Sequence, residues 1–215
     1  MRKIGLLIVI CLLLIFSGVA QSLGLKVYNG DFQNVTQLNL VFVYDGVTYD
    51  GDNEGTFFKN QENDVDHFEE WKIKWTGEFR TELWEKQFLL AVAEKLYDRE
   101  LDICYCNDAK YSMVIYMNDI DPGSYTGPYF WSNPAKLDGS MIIVHTPENI
   151  YDITEDDWIF YPITFDDFCG KIANQETDRI MEHRVQASFG ELGTMIGDAL
   201  EKSVKRRVRN IKHQT

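Results

Sequence analysis

Two acid-rich stretches hold the residue types best suited to chemistry. Asp50-Gly51-Asp52-Asn53-Glu54-Gly55 sets oxygen donors at the first, third and fifth positions and glycine at the sixth. A calcium loop uses that spacing to bring carboxylates round one cation, with the glycine making the sharp turn. Asp50, Asp52 and Glu54 are therefore candidate calcium ligands. The twelfth position is Gln61, which lacks the bidentate carboxylate, and Glu62 comes one residue late. A plain acidic turn explains the same residues with fewer demands, so no bound metal is expected.

The second stretch carries Asp152, Glu155, Asp156, Asp157, Asp166 and Asp167 among Tyr151, Trp158, Phe160, Tyr161, Phe165 and Phe168. Rings that stack on sugar faces beside carboxyls that move protons are the parts of a glycan-cleaving groove. Asp156, Asp157, Asp166 and Asp167 are the candidate catalytic acids. Closeness in sequence does not bring two acids across a groove, and the competing reading is a solvated loop pinned by its aromatics.

The remaining reactive residues form no pattern. His67, His145, His183 and His213 lie at no metal-ligand spacing. Cys169 with His145 or His183 would make a thiol nucleophile, but an inert structural thiol fits as well. A phosphate-cradling glycine loop and a nucleophile elbow are both missing, and no cofactor is expected.

The first residues point to a compartment. Met1-Arg2-Lys3 precedes an apolar run from Ile4 to Phe16, followed by Ser17-Gly18-Val19-Ala20. A basic start, a short apolar core and small residues before a cut make a secretory signal peptide, with cleavage expected after Ala20. The run is shorter than the roughly 20 residues a membrane span needs. Residues 21–215 are expected to form one water-soluble domain in the periplasm or outside the cell, and not an integral membrane protein. The leader removes two basic residues and no acid, so the formal charge moves from −13 to −15. Such a surface repels nucleic acid and anionic membrane. Cys104, Cys106 and Cys169 would then meet an oxidising compartment. Cys104 and Cys106 stand two apart and are not expected to pair. A bridge from one of them to Cys169 and three free thiols both remain open.

Elements that could position these groups follow from periodicity. Leu25–Asn29, Gln37–Tyr44, Val47–Tyr49, Lys110–Met117, Tyr129–Trp131 and Gly139–His145 read as strands. Asp64–Arg99 is helical, interrupted at Gly77, with Trp71, Trp75, Phe79, Leu83 and Trp84 on one core-facing side. A last amphipathic helix covers 177–209, and Gly190, Gly193 and Gly197 would let a neighbour approach closely. The segment 146–171 reads as a long surface excursion. The order of elements predicts an α+β single domain, a mostly antiparallel or mixed sheet with helices on one face.

Several stretches, among them Leu25-Lys26-Val27-Tyr28-Asn29-Gly30-Asp31, Trp75-Thr76-Gly77-Glu78-Phe79-Arg80 and Lys110-Tyr111-Ser112-Met113-Val114-Ile115, resemble a family of uncharacterised secreted proteins of Bacteroidetes. The resemblance also takes in the strand Leu38–Tyr44, the Asp121-Pro122-Gly123 turn, the strand Leu137–Val144 and the glycine-punctuated last helix. It implies an exported or envelope location and no particular activity. The expected function is a non-catalytic exported binding or envelope-associated protein, with a glycan or an envelope protein as partner. The alternative is a hydrolase of glycan or other envelope material acting through the carboxylates of 152–167.

Overall fold

The computed structural model describes residues 35–124, 133–160, 162–170 and 180–212. The expected leader and the expected strands at 25–29 and 129–131 lie outside the described residues. In chain order come β1 (Gln37–Val43), β2 (Thr48–Tyr49), β3 (Asp52–Asn53), α1 (Glu54–Gln61), α2 (Phe68–Thr76) and a π-helical turn (Phe79–Glu85). Then follow α3 (Lys86–Leu96), β4 (Asp102–Cys104), β5 (Tyr111–Asp121), β6 (Lys136–His145), β7 (Ile163–Cys169) and α4 (Met181–Lys212).

β5 is the centre of the sheet because it can pair along both edges. β1 lies parallel on one side, Asn39 opposite Ser112 through Val43 opposite Tyr116. β6 lies antiparallel on the other, and β7 adds antiparallel beyond it. β4 runs parallel to β1 at the opposite border. The β2–β3 hairpin reaches β5 farther along, where Thr48 meets Asp119. The sheet is mixed, and the single α+β domain expected from the sequence is the one observed.

Alternation along the strands sorts side chains between two unequal cores. Leu38, Leu40, Tyr111, Met113, Ile115, Met117, Met141, Ile143, Ile163 and Phe165 face the helices and join the larger one. Burying such side chains contributes about 1.5–3 kcal/mol each, which sets the register of the strands. Val43, Val114, Ile142 and Val144 face the other way and form a small second core.

The helical layer is aromatic. Trp71, Trp75 and Trp84 are buried as their spacing predicts, and Trp84 stacks on Phe189 of α4 at 5.8 Å. α3 and α4 lie side by side and run in the same direction, Gln87 beside Gly190, Phe88 beside Gly193 and Val92 beside Gly197. A Cβ at Gly193 would stand 2.5 Å from the Phe88 carbonyl oxygen, so the close approach requires glycine there. Arg184 and Ser188 anchor the start of α4. Arg184 donates to the Pro122 and Gly123 carbonyls, and Ser188 ties the Ala135 carbonyl to the Gly170 amide.

The segment 146–171 departs from the expected surface excursion. Ile150, Ile153 and Trp158 cover the small second core, Ile159 and Phe160 are fully buried, and Ile163–Cys169 is a strand of the sheet. The chain crosses a border of the sheet here, supplying side chains to both faces, and neither a period of two nor of 3.6 survives such a crossing. No helix among the described residues is long and apolar enough to cross a membrane.

Candidate functional site

β4 pairs with only the first three residues of β1, from Gln37 to Asn39. Beyond that level the chain turns through Cys104-Tyr105-Cys106, and the Asn39 side chain accepts the Cys106 amide at 3.1 Å. Tyr105 is half exposed, and its hydroxyl donates to Glu85 at 3.1 Å. Glu85 ends the π-helical turn and is only 8% exposed, which makes it the most enclosed carboxylate among the described residues.

The π-helical turn explains how an acid arrives there. Its wider coil adds a residue to the turn, a device often found where side chains must be re-aimed. Arg80 and Glu85 on this turn both reach the end of β1. The Arg80 guanidinium lies over the Tyr44 ring at 4.6 Å, donates to the Tyr49 hydroxyl and bonds Glu54 at 2.9 Å. Tyr44 is the residue after β1, so the cluster sits near the carboxyl ends of parallel strands, where open sheets commonly bind ligands.

Its electrostatics follow from burial. Desolvation raises the Glu85 carboxyl above its ordinary value, against hydrogen bonds from Tyr105 and Tyr44 and the charge of Arg80. Burial likewise raises Tyr44, Tyr49 and Tyr105, and the Glu85 charge adds to the shift of Tyr44 and Tyr105. The Arg80 Nε is buried without a hydrogen-bond partner. A buried polar atom left in that state costs about 1–3 kcal/mol. The cluster offers a cation, hydroxyls and a carboxyl that readily takes a proton, and none of its side chains is a ready nucleophile. It can hold a polar group.

The calcium candidates are arranged otherwise than a loop round a cation. Asp50 and Gly51 both have positive φ, 53° and 77°, and make the tight turn of the β2–β3 hairpin. Asp52 accepts from Asn60, Asn53 caps α1 by accepting the Thr56 amide, and Glu54 is held by Arg80. Neighbouring Asp121, Asp119 and Asp52, after desolvation, raise the Asp50 carboxyl. Among the described residues, no group of three or more His, Cys, Asp or Glu is placed to hold a metal ion.

The four catalytic candidates are not brought together as one set. Asp157 closes a capping box, accepting the Thr154 amide and hydroxyl at 2.9 Å each, and Asp156 is exposed beside it. Asp166 and Asp167 are exposed on β7, where Asp167 pairs with Lys136 at 2.9 Å. Trp158 bridges to Val144, whereas Asp166 and Asp167 lie across from the Asp138 level of β6. At about 3.3 Å per residue along β6, the two pairs stand roughly 20 Å apart. Two-carboxylate glycan hydrolysis needs about 5–9.5 Å.

The cysteines depart from the expectation as well. Cys104 and Cys106 form a disulfide, Cα to Cα 5.4 Å, and Cys169 is free and exposed. The backbone bends at Tyr105 as β4 ends, which brings the two Cα atoms into bonding range. Glu85, Arg80 and Tyr105 were not singled out by the sequence reading. The available signal was an acid at position 85 sharing a helical face with Phe88 and Val92.

Fold and site together define an α+β domain with a polar cluster at the ends of its parallel strands and a short disulfide loop at its rim. No protein-family model, curated protein or solved structure matches the chain.

Proposed function

We propose that the protein is a non-catalytic exported binding or envelope-associated protein, and that it holds a polar ligand at the Glu85–Tyr105 end of the cluster. The observation that carries this reading is a nearly buried carboxyl, a fixed guanidinium and a half-exposed tyrosine ring meeting where β4 stops short. An aromatic ring beside hydrogen-bonding groups suits a sugar face and its hydroxyls. The signal-peptide pattern of the first 20 residues and the resemblance to secreted Bacteroidetes proteins support export.

The test is a panel of soluble envelope glycan fragments screened by thermal shift, with release of reducing ends followed in the same samples. A stabilising fragment that stays intact, and whose effect is lost in Tyr105→Ala, is the expected result. Turnover of any fragment would replace this reading with that of a hydrolase. For export, the mature N-terminus is read by mass spectrometry of the exported fraction, with Gln21 expected first.

A further inference from the structure

We propose that the Cys104–Cys106 disulfide is a thiol–disulfide exchange site, which accepts two electrons from a dithiol on another protein. This does not depend on the binding reading above.

A disulfide that serves as a staple joins parts of the chain that would otherwise separate, and its benefit grows with the loop it closes. This one joins residues two apart. It encloses only Tyr105, so it restrains almost nothing in the unfolded chain. The surrounding structure is held by other means. Ile103 is buried in the larger core, β4 pairs with β1, and the Asn39 side chain fixes the Cys106 amide. Opening the bond leaves those contacts in place. The fold can therefore exist in both oxidation states, as exchange requires.

Access fits as well. The pair lies where the border strand β4 ends, and both cysteines are partly exposed. Tyr105 stands between them, half exposed and held by its hydroxyl on Glu85. Structural disulfides are usually shielded from thiols, and exposed ones exchange.

The chemistry balances without a further reactant. A thiolate of the incoming dithiol attacks one sulfur, forming a mixed disulfide as the Cys104–Cys106 bond breaks. The displaced sulfur leaves as a thiolate and takes a proton. The second thiolate of the dithiol then attacks its own sulfur in the mixed disulfide and releases the other cysteine. The dithiol ends oxidised to a disulfide, and Cys104 and Cys106 end as two thiols carrying the two protons.

The experiment uses the full chain in graded mixtures of reduced and oxidised glutathione, with thiols alkylated and counted by mass spectrometry. Cys104 and Cys106 should become reduced together while the far-ultraviolet circular dichroism stays that of the oxidised protein. Cys104→Ser and Cys106→Ser chains should each capture one glutathione at the remaining member of the pair, told apart by peptide mapping from any capture at the free Cys169. The double variant Cys104→Ala, Cys106→Ala should keep its fold, which separates exchange from a staple. A bond that opens only when denaturant unfolds the chain, or a double variant that fails to fold, would overturn the proposal.

Discussion

Glu85 and Asp157 are carboxyls of one chain that their surroundings push in opposite directions. Glu85 ends the π-helical turn nearly buried, and desolvation raises its proton affinity. Asp157 lies in the open acidic segment, and the Thr154 amide and hydroxyl lower it. The density of acids in the sequence pointed to the second region, whereas the stronger perturbation by enclosure belongs to the first. Acids on a surface keep their charged form solvated by water and local backbone groups, which a buried acid loses. A single acid drawn into an aromatic layer is shifted by that loss.

The contrast is sharpest for the two tryptophans beside these acids. Trp84 is fully buried and donates to the Glu182 carbonyl of α4. Trp84→Ala should cost about 4 kcal/mol, through cavity and lost packing. Trp158 covers only the small second core, and Trp158→Ala should cost about 1–2 kcal/mol. Chemical denaturation of both variants checks the order, and equal losses would mean that the second core matters as much as the first.

Arg80→Lys comes next. The lysine keeps the charge and loses the planar fork that lies on Tyr44 and reaches Tyr49 and Glu54. The Glu54 side chain is 45% exposed, so that ion pair adds little and most of the loss comes from the stacking and the fork. A destabilisation of about 1–2 kcal/mol is expected from the same unfolding measurement.

A pH titration of stability separates the two acids by sign. Glu85 is raised in the folded state, so the folded chain holds its proton longer than the unfolded one. Its contribution is fully present below the ordinary carboxylate value and is lost as pH climbs through the raised one. Glu85→Gln should flatten that decline and leave the protein more stable at neutral pH. Asp157 is lowered, so its contribution is present above the ordinary value and is lost as pH falls through the lowered one. Asp157→Asn should remove that acid-side loss. Matching pH profiles for the two variants would erase the distinction between the regions.

The smallest expected effect is that of calcium. Asp50 lies in a hairpin turn, while Asp52 and Glu54 are already engaged by Asn60 and Arg80. Millimolar calcium should leave the melting temperature unchanged, and a clear rise would return the hairpin to the list of sites.

What the sequence disclosed follows the same physics. β1, β5 and β6 carry β-branched and aromatic residues in runs long enough to name them as strands, and the tryptophan spacing marks the core side of the helices. β7 escaped because Asp166 and Asp167 break its alternation. α1 escaped because its opening Glu54 and Gly55 read as a turn, although Asn53 provides an N-cap. The site was the least visible part. Arg80 and Glu85 share one π-helical turn while Tyr105 follows β4, and a π-helical turn leaves no compositional mark. The disulfide was set aside on spacing alone, because a bend at Tyr105 cannot be read from two cysteines.

The side-by-side run of α3 and α4 also bears on how the chain reaches its final state. Arg99 and Glu201 meet although 102 residues separate them, and the connection between the helices passes through β4, β5, β6 and β7. Two helices that point the same way cannot be joined by a short hairpin. Closing so long a loop costs entropy before any contact repays it, which makes this seam a late event in folding. During synthesis, everything from β1 to β7 emerges before the helix that seals the core. Until then, Trp84 and Phe42 wait without their Phe189 partner.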